Sequence, residues 1–343
     1  MWFNRVSEKY RFFRIPSIHG IFQSLRHARF STSKSGSCGN GRVSETPSGF
    51  SSGSEPEDFG TGHSQLQKSS DVNSSVSIKC RTWKCGAWKI VGTSVPGFSR
   101  EVSGKNTQDT FEIYPGADST FVAVLSDGAG SSSHGGICAS YTTTTVGRDL
   151  SRWASEHHAK EFDISKASEA IRGIVGGVRA VIIRHAKSEK VNKAPRDFHA
   201  TLLGVCVLAS GGFFFHIGDG AGVACRSGNY RDRTLSPPEN GEFIETTYFL
   251  TEENWEEHLR ITQFPKDHDL IVLMSDGCTP FAMDQRDEYL HEPFIHPVSA
   301  FLTDCDDNCQ QALSNLLRED RIRAITGDDK TFIWARMIDG HTS

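Results

Sequence analysis

Aspartates in this chain recur where short apolar runs end. Asp127-Gly128 follows Phe-Val-Ala-Val-Leu-Ser, Asp276-Gly277 follows Leu-Ile-Val-Leu-Met-Ser, and Asp219 follows Phe-Phe-Phe-His-Ile-Gly. A side chain at a strand end is fixed by the sheet behind it, so several such carboxylates can converge on one point. Carboxylate oxygens are hard donors that suit magnesium or manganese, ions that also keep some of their waters. Glycine after each aspartate lets the backbone turn sharply and lets a carbonyl approach an ion. A single Asp-Gly after a strand is more often a plain turn, but three copies point to a shared site. A divalent ion held this way lowers the pKa of a bound water, so that hydroxide exists near neutral pH.

The elements that must hold these groups are visible as texture. Thr120 to Ser126, Thr201 to Ala209, Gly212 to Ile217, Leu270 to Ser275 and Thr331 to Ala335 are strand-length runs rich in Val, Ile and Phe, expected to be buried strands. Gly135 to Ala159 and Ile164 to Ser188 carry apolar residues at helical intervals, and Asn308 to Glu319 sets Ala312, Leu313, Leu316 and Leu317 on one helical face. The cluster Asp304, Asp306, Asp307 and Asn308 resembles the opening of a calcium loop but lacks the turn glycine and closing glutamate, and reads as a solvated loop before that helix.

The chain has 343 residues, 37% of them hydrophobic, and a net charge of -5. That length carries one large domain or two modest ones, and that charge does not suggest nucleic acid as a partner. No run is long and apolar enough to span a membrane. Residues 1–77 read as an appendage: Arg5, Lys9, Arg11, Arg14, Arg26, Arg29 and Lys34 lie in a leader with Glu8 as its acid, followed by a Ser- and Gly-rich linker. Such a leader suits either a mitochondrial transit peptide or a basic tail, so the expected location is cytoplasmic, with mitochondrial as the alternative. The folded domain is expected over residues 78–340, as a monomer. The nine cysteines are scattered, which favours reduced thiols. Cys80 with Cys85, and Cys305 with Cys309, are two halves of a zinc site only if they meet in space.

Six segments in order resemble the type 2C, metal-dependent protein phosphatases of the PPM family, over Trp83 to Ala335. They are Asn106-Thr107-Gln108-Asp109, Ser126-Asp127-Gly128-Ala129-Gly130-Ser131, Phe198-His199-Ala200-Thr201-Leu202-Leu203, His216-Ile217-Gly218-Asp219-Gly220, Met274-Ser275-Asp276-Gly277 and Gly327-Asp328-Asp329-Lys330-Thr331. Val91-Gly92-Thr93-Ser94 and Arg196-Asp197-Phe198 are similar to the compact stand-alone bacterial branch. The resemblance implies an α/β (α+β) fold, with two mostly antiparallel sheets packed as a sandwich and flanked by helices. It implies two, or with a weaker site three, Mn2+ or Mg2+ ions, and a phosphoserine or phosphothreonine protein substrate. By position it makes Asp127 the bridge between two ions with the Gly128 carbonyl on one of them. Asp276 and Asp328 then complete the first metal, Asp109 serves the second, and Asp219 serves the third site; Asp219 reads equally as a hairpin residue capping amides.

Two departures stand out. The family's phosphate-gripping Arg is replaced by Gly104, leaving Lys105 as the nearest cation and Arg100 as another if residues 97–104 form a loop. The His that often follows the family's Asp-Gly is Ala129 here, leaving His134 or His199 to protonate the leaving alkoxide. An alternative is therefore a metal-binding pseudophosphatase with a regulatory role, and a third reading is a metallohydrolase of small phosphoesters.

Overall fold

The computed structural model describes residues 76–338 apart from 158–162, 189, 240–246, 285 and 287. The leader, and most of the linker assigned to residues 1–77, lie outside the described residues. In chain order the strands are β1 (Lys79–Cys85), β2 (Trp88–Val95), β3 (Thr110–Pro115), β4 (Phe121–Ser126), β5 (Leu202–Leu208), β6 (Gly211–Ile217), β7 (Ala221–Arg226), β8 (Asn229–Ser236), β9 (Arg260–Pro265), β10 (Leu270–Met274) and β11 (Lys330–Met337). The helices used below are α1 (Phe98–Val102), α2 (Gly135–His157), α3 (Ile164–Ala186), α4 (Glu292–Asp304) and α5 (Cys309–Leu317).

The strands form two sheets, ordered β1-β2-β11-β10-β7-β8 and β3-β4-β5-β6-β9, with every pairing antiparallel. The side-chain alternation of a strand explains why both faces of each sheet are apolar. In β10, Ile271 and Leu273 join a core shared by the two sheets, while Leu270, Val272 and Met274 face the core under α4 and α5. In β4, Phe121, Ala123 and Leu125 point into the shared core and Val122 and Val124 into the core under α2 and α3. The result is a helix-sheet-sheet-helix sandwich, as the resemblance implies. Burying each such aliphatic side chain stabilises it by about 1.5–3 kcal/mol, so a continuous apolar strand is stable only between two covered faces.

The helix ends are satisfied locally. Asp163 accepts from the amides of Ser165 (2.9 Å) and Lys166 (3.4 Å) to cap α3. Lys89, only 3% exposed, reaches from β2 to the last turn of α4 and donates to the carbonyls of Thr303 (3.4 Å) and Cys305. The α4 helix itself was not foreseen from sequence, because Pro297 lies inside it. The zinc possibility is excluded: Cys80 and Cys85 sit at opposite ends of β1, paired with Thr93 and Trp88, and Cys85 packs between the sheets while Cys305 and Cys309 lie under α4 and α5. Of the acidic stretch ahead of α5, Asp304 ends α4, and Asp306 and Asp307 lie in a loop with Asn308 at φ 57 leading into the helix.

Candidate active site

Four chain segments meet where the two sheets face each other, and each is pinned by its neighbours. Asp127 follows β4, and both of its backbone groups are held by Thr201 at the start of β5. Its amide donates to Thr201 Oγ1 at 3.0 Å, and its carbonyl accepts from the Thr201 amide at 2.8 Å. This is the local reason for a threonine opening that strand. Gly128 donates to the Gln108 carbonyl at 3.3 Å and packs so tightly on the start of α2 that a Cβ there would lie 2.3 Å from the Gly135 carbonyl carbon. Asp109 precedes β3, and its amide donates to Thr107 Oγ1 at 2.9 Å, which gives the interposed threonine a purpose.

The other side is built from β10 and β11. Asp276 opens a tight turn after β10, and its Oδ1 accepts the Gly277 amide at 2.6 Å. A Cβ on Gly277 would lie 1.9 Å from the Asp329 carbonyl oxygen, so only glycine brings Asp276 this close to the 327–329 segment. Asp328 Oδ1 accepts the Asp329 amide at 2.8 Å. A buried hydroxyl chain ties the two sides together. The Thr331 amide donates to Ser275 Oγ (2.9 Å), Thr331 Oγ1 to Ser94 Oγ (2.8 Å), and Ser94 Oγ to the Asp109 carbonyl (3.1 Å). The Val91-Gly92-Thr93-Ser94 segment thus orients an acidic residue it is remote from in sequence.

Electrostatics show how close the carboxylates are. Burial, and then Asp329 and Asp276, push Asp109 up to about 8. Burial, and then Asp109 and Asp276, hold Asp127 well above the usual carboxylate range. Burial, and then Asp219 and Asp328, raise Asp276 to about 7. Asp219 is raised chiefly by burial, against the opposing hydrogen bond that Thr247 Oγ1 donates to its Oδ2. Asp127 thus interacts with both Asp109 and Asp276, and Asp276 in turn with Asp219 and Asp328.

The donor set fits hard divalent cations. Both carboxylate oxygens of Asp109 are buried without a hydrogen-bond donor, and the groups that act most strongly on Asp127 are themselves carboxylates. Like charges crowded around a buried member such as Asp109 are costly unless protons or cations lie among them. Among the described residues no three His, Cys, Asp or Glu side chains are drawn tightly enough together to form a finished cage, so the fit rests on donor type and burial.

Sequence reasoning passed over Asp329. Its carboxylate accepts the Gly97 amide and the Gln108 amide, each at 2.7 Å, and pairs with Arg100 Nε at 3.3 Å. The segment expected as a loop contains α1, and this helix carries Arg100 to the acidic string. Lys105 is exposed, with its amide on the Arg100 carbonyl at 2.8 Å. His134 stacks on Phe198 (4.7 Å between centroids) and its Nδ1 bonds Ser133 Oγ at 2.8 Å. His199 is bonded to Thr251 Oγ1 at 2.7 Å and stacked on Phe249, and burial lowers its pKa. The sequence signal for Asp329 was present but weak: a second acid directly after a predicted ligand.

Comparison with known proteins agrees with this construction. Residues 96–318, more than half of the chain, match the family described as Protein phosphatase 2C. Serine/threonine-protein phosphatase 3 of Escherichia coli (strain K12) is 26% identical over 261 residues, spanning 73% of this chain and 99% of that protein. The S. agalactiae serine/threonine phosphatase structure superposes with a TM-score of 0.51 at 15% identity, covering 73% of this chain and 99% of that one. A bacterial serine phosphatase gives 0.50 at 15% identity, covering 72% and 97%. At these identities the two structures show a shared fold.

Proposed function

Because this chain belongs to the protein phosphatase 2C family, we propose that it hydrolyses phosphoserine and phosphothreonine in proteins, using divalent metal held by its aspartate string. The observation that carries this reading is the half-buried Asp127, pinned by Thr201 so that its carboxylate acts on those of Asp109 and Asp276. When bound, two Mn2+ or Mg2+ ions would supply an acidified water and the positive charge that a phosphoryl group needs. Asp109, Asp127, Asp276, Asp328 and the Gly128 carbonyl are the groups that would hold them. Asp219, next to Asp276, would serve a third ion.

The remaining roles fall to this chain's own side chains. Arg100 is the group we assign to the phosphate. Its Nε is engaged by Asp329, which fixes the guanidinium plane and leaves the terminal N–H groups as a fork for two phosphoryl oxygens. Lys105, exposed at the same lip, adds positive charge toward an arriving phosphoprotein. His134 is the candidate proton donor to the leaving alkoxide, its Nδ1 on Ser133 leaving Nε2 for the substrate. The catalytic domain is assigned to residues 78–340, and the basic leader to targeting or weak contacts. A pseudophosphatase is not favoured, since all four ligand positions are kept and Arg100 supplies the cation that position 104 lacks.

The test is hydrolysis of p-nitrophenyl phosphate and of a phosphothreonine peptide with manganese, with magnesium and with chelator. Turnover is expected only with metal, and Asp127→Asn or Asp276→Asn should lower it by at least about a hundredfold. Activity that persists in chelator and in both variants would overturn the reading.

A further inference from the structure

Among the described residues, three large apolar side chains stand out as exposed: Phe98 (51%), Val102 (71%) and Ile137 (54%). Single exposed apolar residues are ordinary; a cluster is informative. These three lie apart in sequence, on segments that meet the same neighbour. Phe98 and Val102 are one helical turn apart on α1 and so share a side of it. The residue before α1, Gly97, donates to the Asp329 carboxylate that also takes the Gln108 amide, both at 2.7 Å. Ile137 follows Gly136, whose Cβ position lies 3.4 Å from Gln108 Cα. The segments that carry these side chains therefore both border Gln108, the residue before Asp109.

The charge around this patch favours a phosphate-bearing partner. Arg100 stands on α1 itself and pairs with Asp329, and the Arg323 guanidinium lies over the Phe98 ring at 5.4 Å. Glu101, the acid of α1, is tied to Arg318 and to Arg323 (2.6 Å), so its charge is already matched. A substrate whose phosphate reaches the aspartate string must lay its neighbouring residues over this rim.

We propose that Phe98, Val102 and Ile137 form an apolar collar that receives a large aliphatic or aromatic side chain flanking the phosphoserine or phosphothreonine of the substrate. This rests on the phosphatase reading above and adds a sequence preference to it. None of the three side chains is assigned to metal, phosphate or proton transfer, so the collar acts on peptides and leaves small esters untouched.

The experiment uses the full chain with manganese and paired phosphothreonine peptides that differ in one flanking position, Leu or Phe against Ser. The wild type should favour the apolar peptides by about tenfold in kcat/KM, the effect of largely covering one such side chain. Val102→Ser combined with Ile137→Ser should erase that preference while p-nitrophenyl phosphate turnover stays unchanged; both sites are exposed, so folding is spared. Equal rates on both peptides, or a preference that survives the double variant, would overturn the collar. Fluorescence anisotropy of the same labelled peptides separates the two ideas. Variant-sensitive apolar preference in binding without any hydrolysis would support the collar and sink the phosphatase reading. Self-association abolished by the double variant, with no peptide preference, would assign the face to a second copy of the chain and overturn the proposal.

Discussion

Asp127 sits at the end of one strand and is stapled by Thr201 at the start of the next, so its carboxylate cannot retreat from Asp109 and Asp276. Replacing it with an amide removes the cost of ionising it there. In chelator, Asp127→Asn should therefore melt at the same temperature as the wild type or higher, while the manganese-induced rise expected of the wild type disappears. Differential scanning fluorimetry with and without metal checks both halves. The pH dependence follows from the same crowding. Asp109 at about 8 and Asp276 at about 7 in the folded protein lie above the usual carboxylate range. The folded state thus holds protons that the unfolded state has released above about pH 4. The stabilisation is present at low pH and is lost as pH rises through about 7 to 8. In chelator the melting temperature should fall between pH 5 and 8, and manganese should flatten the decline by displacing those protons. A profile that rises over that window in chelator would refute the raised values. Arg100→Ala should cost roughly ten- to a hundredfold in kcat/KM, with Arg100→Lys recovering part of it, because a lysine supplies the charge without the fork.

At the scale of elements, the site depends on backbone closeness that only particular residues allow. Gly277→Ala would place a Cβ 1.9 Å from the Asp329 carbonyl oxygen, forcing the β10 turn away from the 327–329 segment. Overpacking of this kind costs about 1–3 kcal/mol, and weaker manganese affinity should accompany the loss. Lys89→Met tests the other layer: without its Nζ, the carbonyls of Thr303 and Cys305 at the end of α4 lose their donor, at a cost of about 1–3 kcal/mol in urea denaturation with little change in metal binding. The strands that carry aspartates were legible because long apolar runs end on Asp-Gly. The α4 helix was not, since Pro297 breaks the pattern that tertiary packing restores. Helix α1 was also hidden, because Gly97 and Gly104 frame it like a loop. The partners of Asp329 could not be read at all, for they come from segments distant in sequence that only the sandwich brings together.

At the scale of the whole molecule, two sheets with apolar faces on both sides require helices outside, and the seam between the sheets is where strand ends from both can meet. The buried hydroxyls of Ser94, Thr331 and Ser275 cross from β2 through β11 to the β10 end, so the acidic string is held by the architecture and not by a single loop. The described residues contain no helix long and apolar enough to cross a membrane. Divalent metal is proposed to load onto Asp127 at this seam. Titration calorimetry of Mn2+ into the full chain near pH 7, repeated in buffers of different ionisation enthalpy, tests it most directly. Binding with net proton release in the wild type, lost in Asp127→Asn, is the predicted result; equal binding by the two proteins, or none by the wild type, would contradict it.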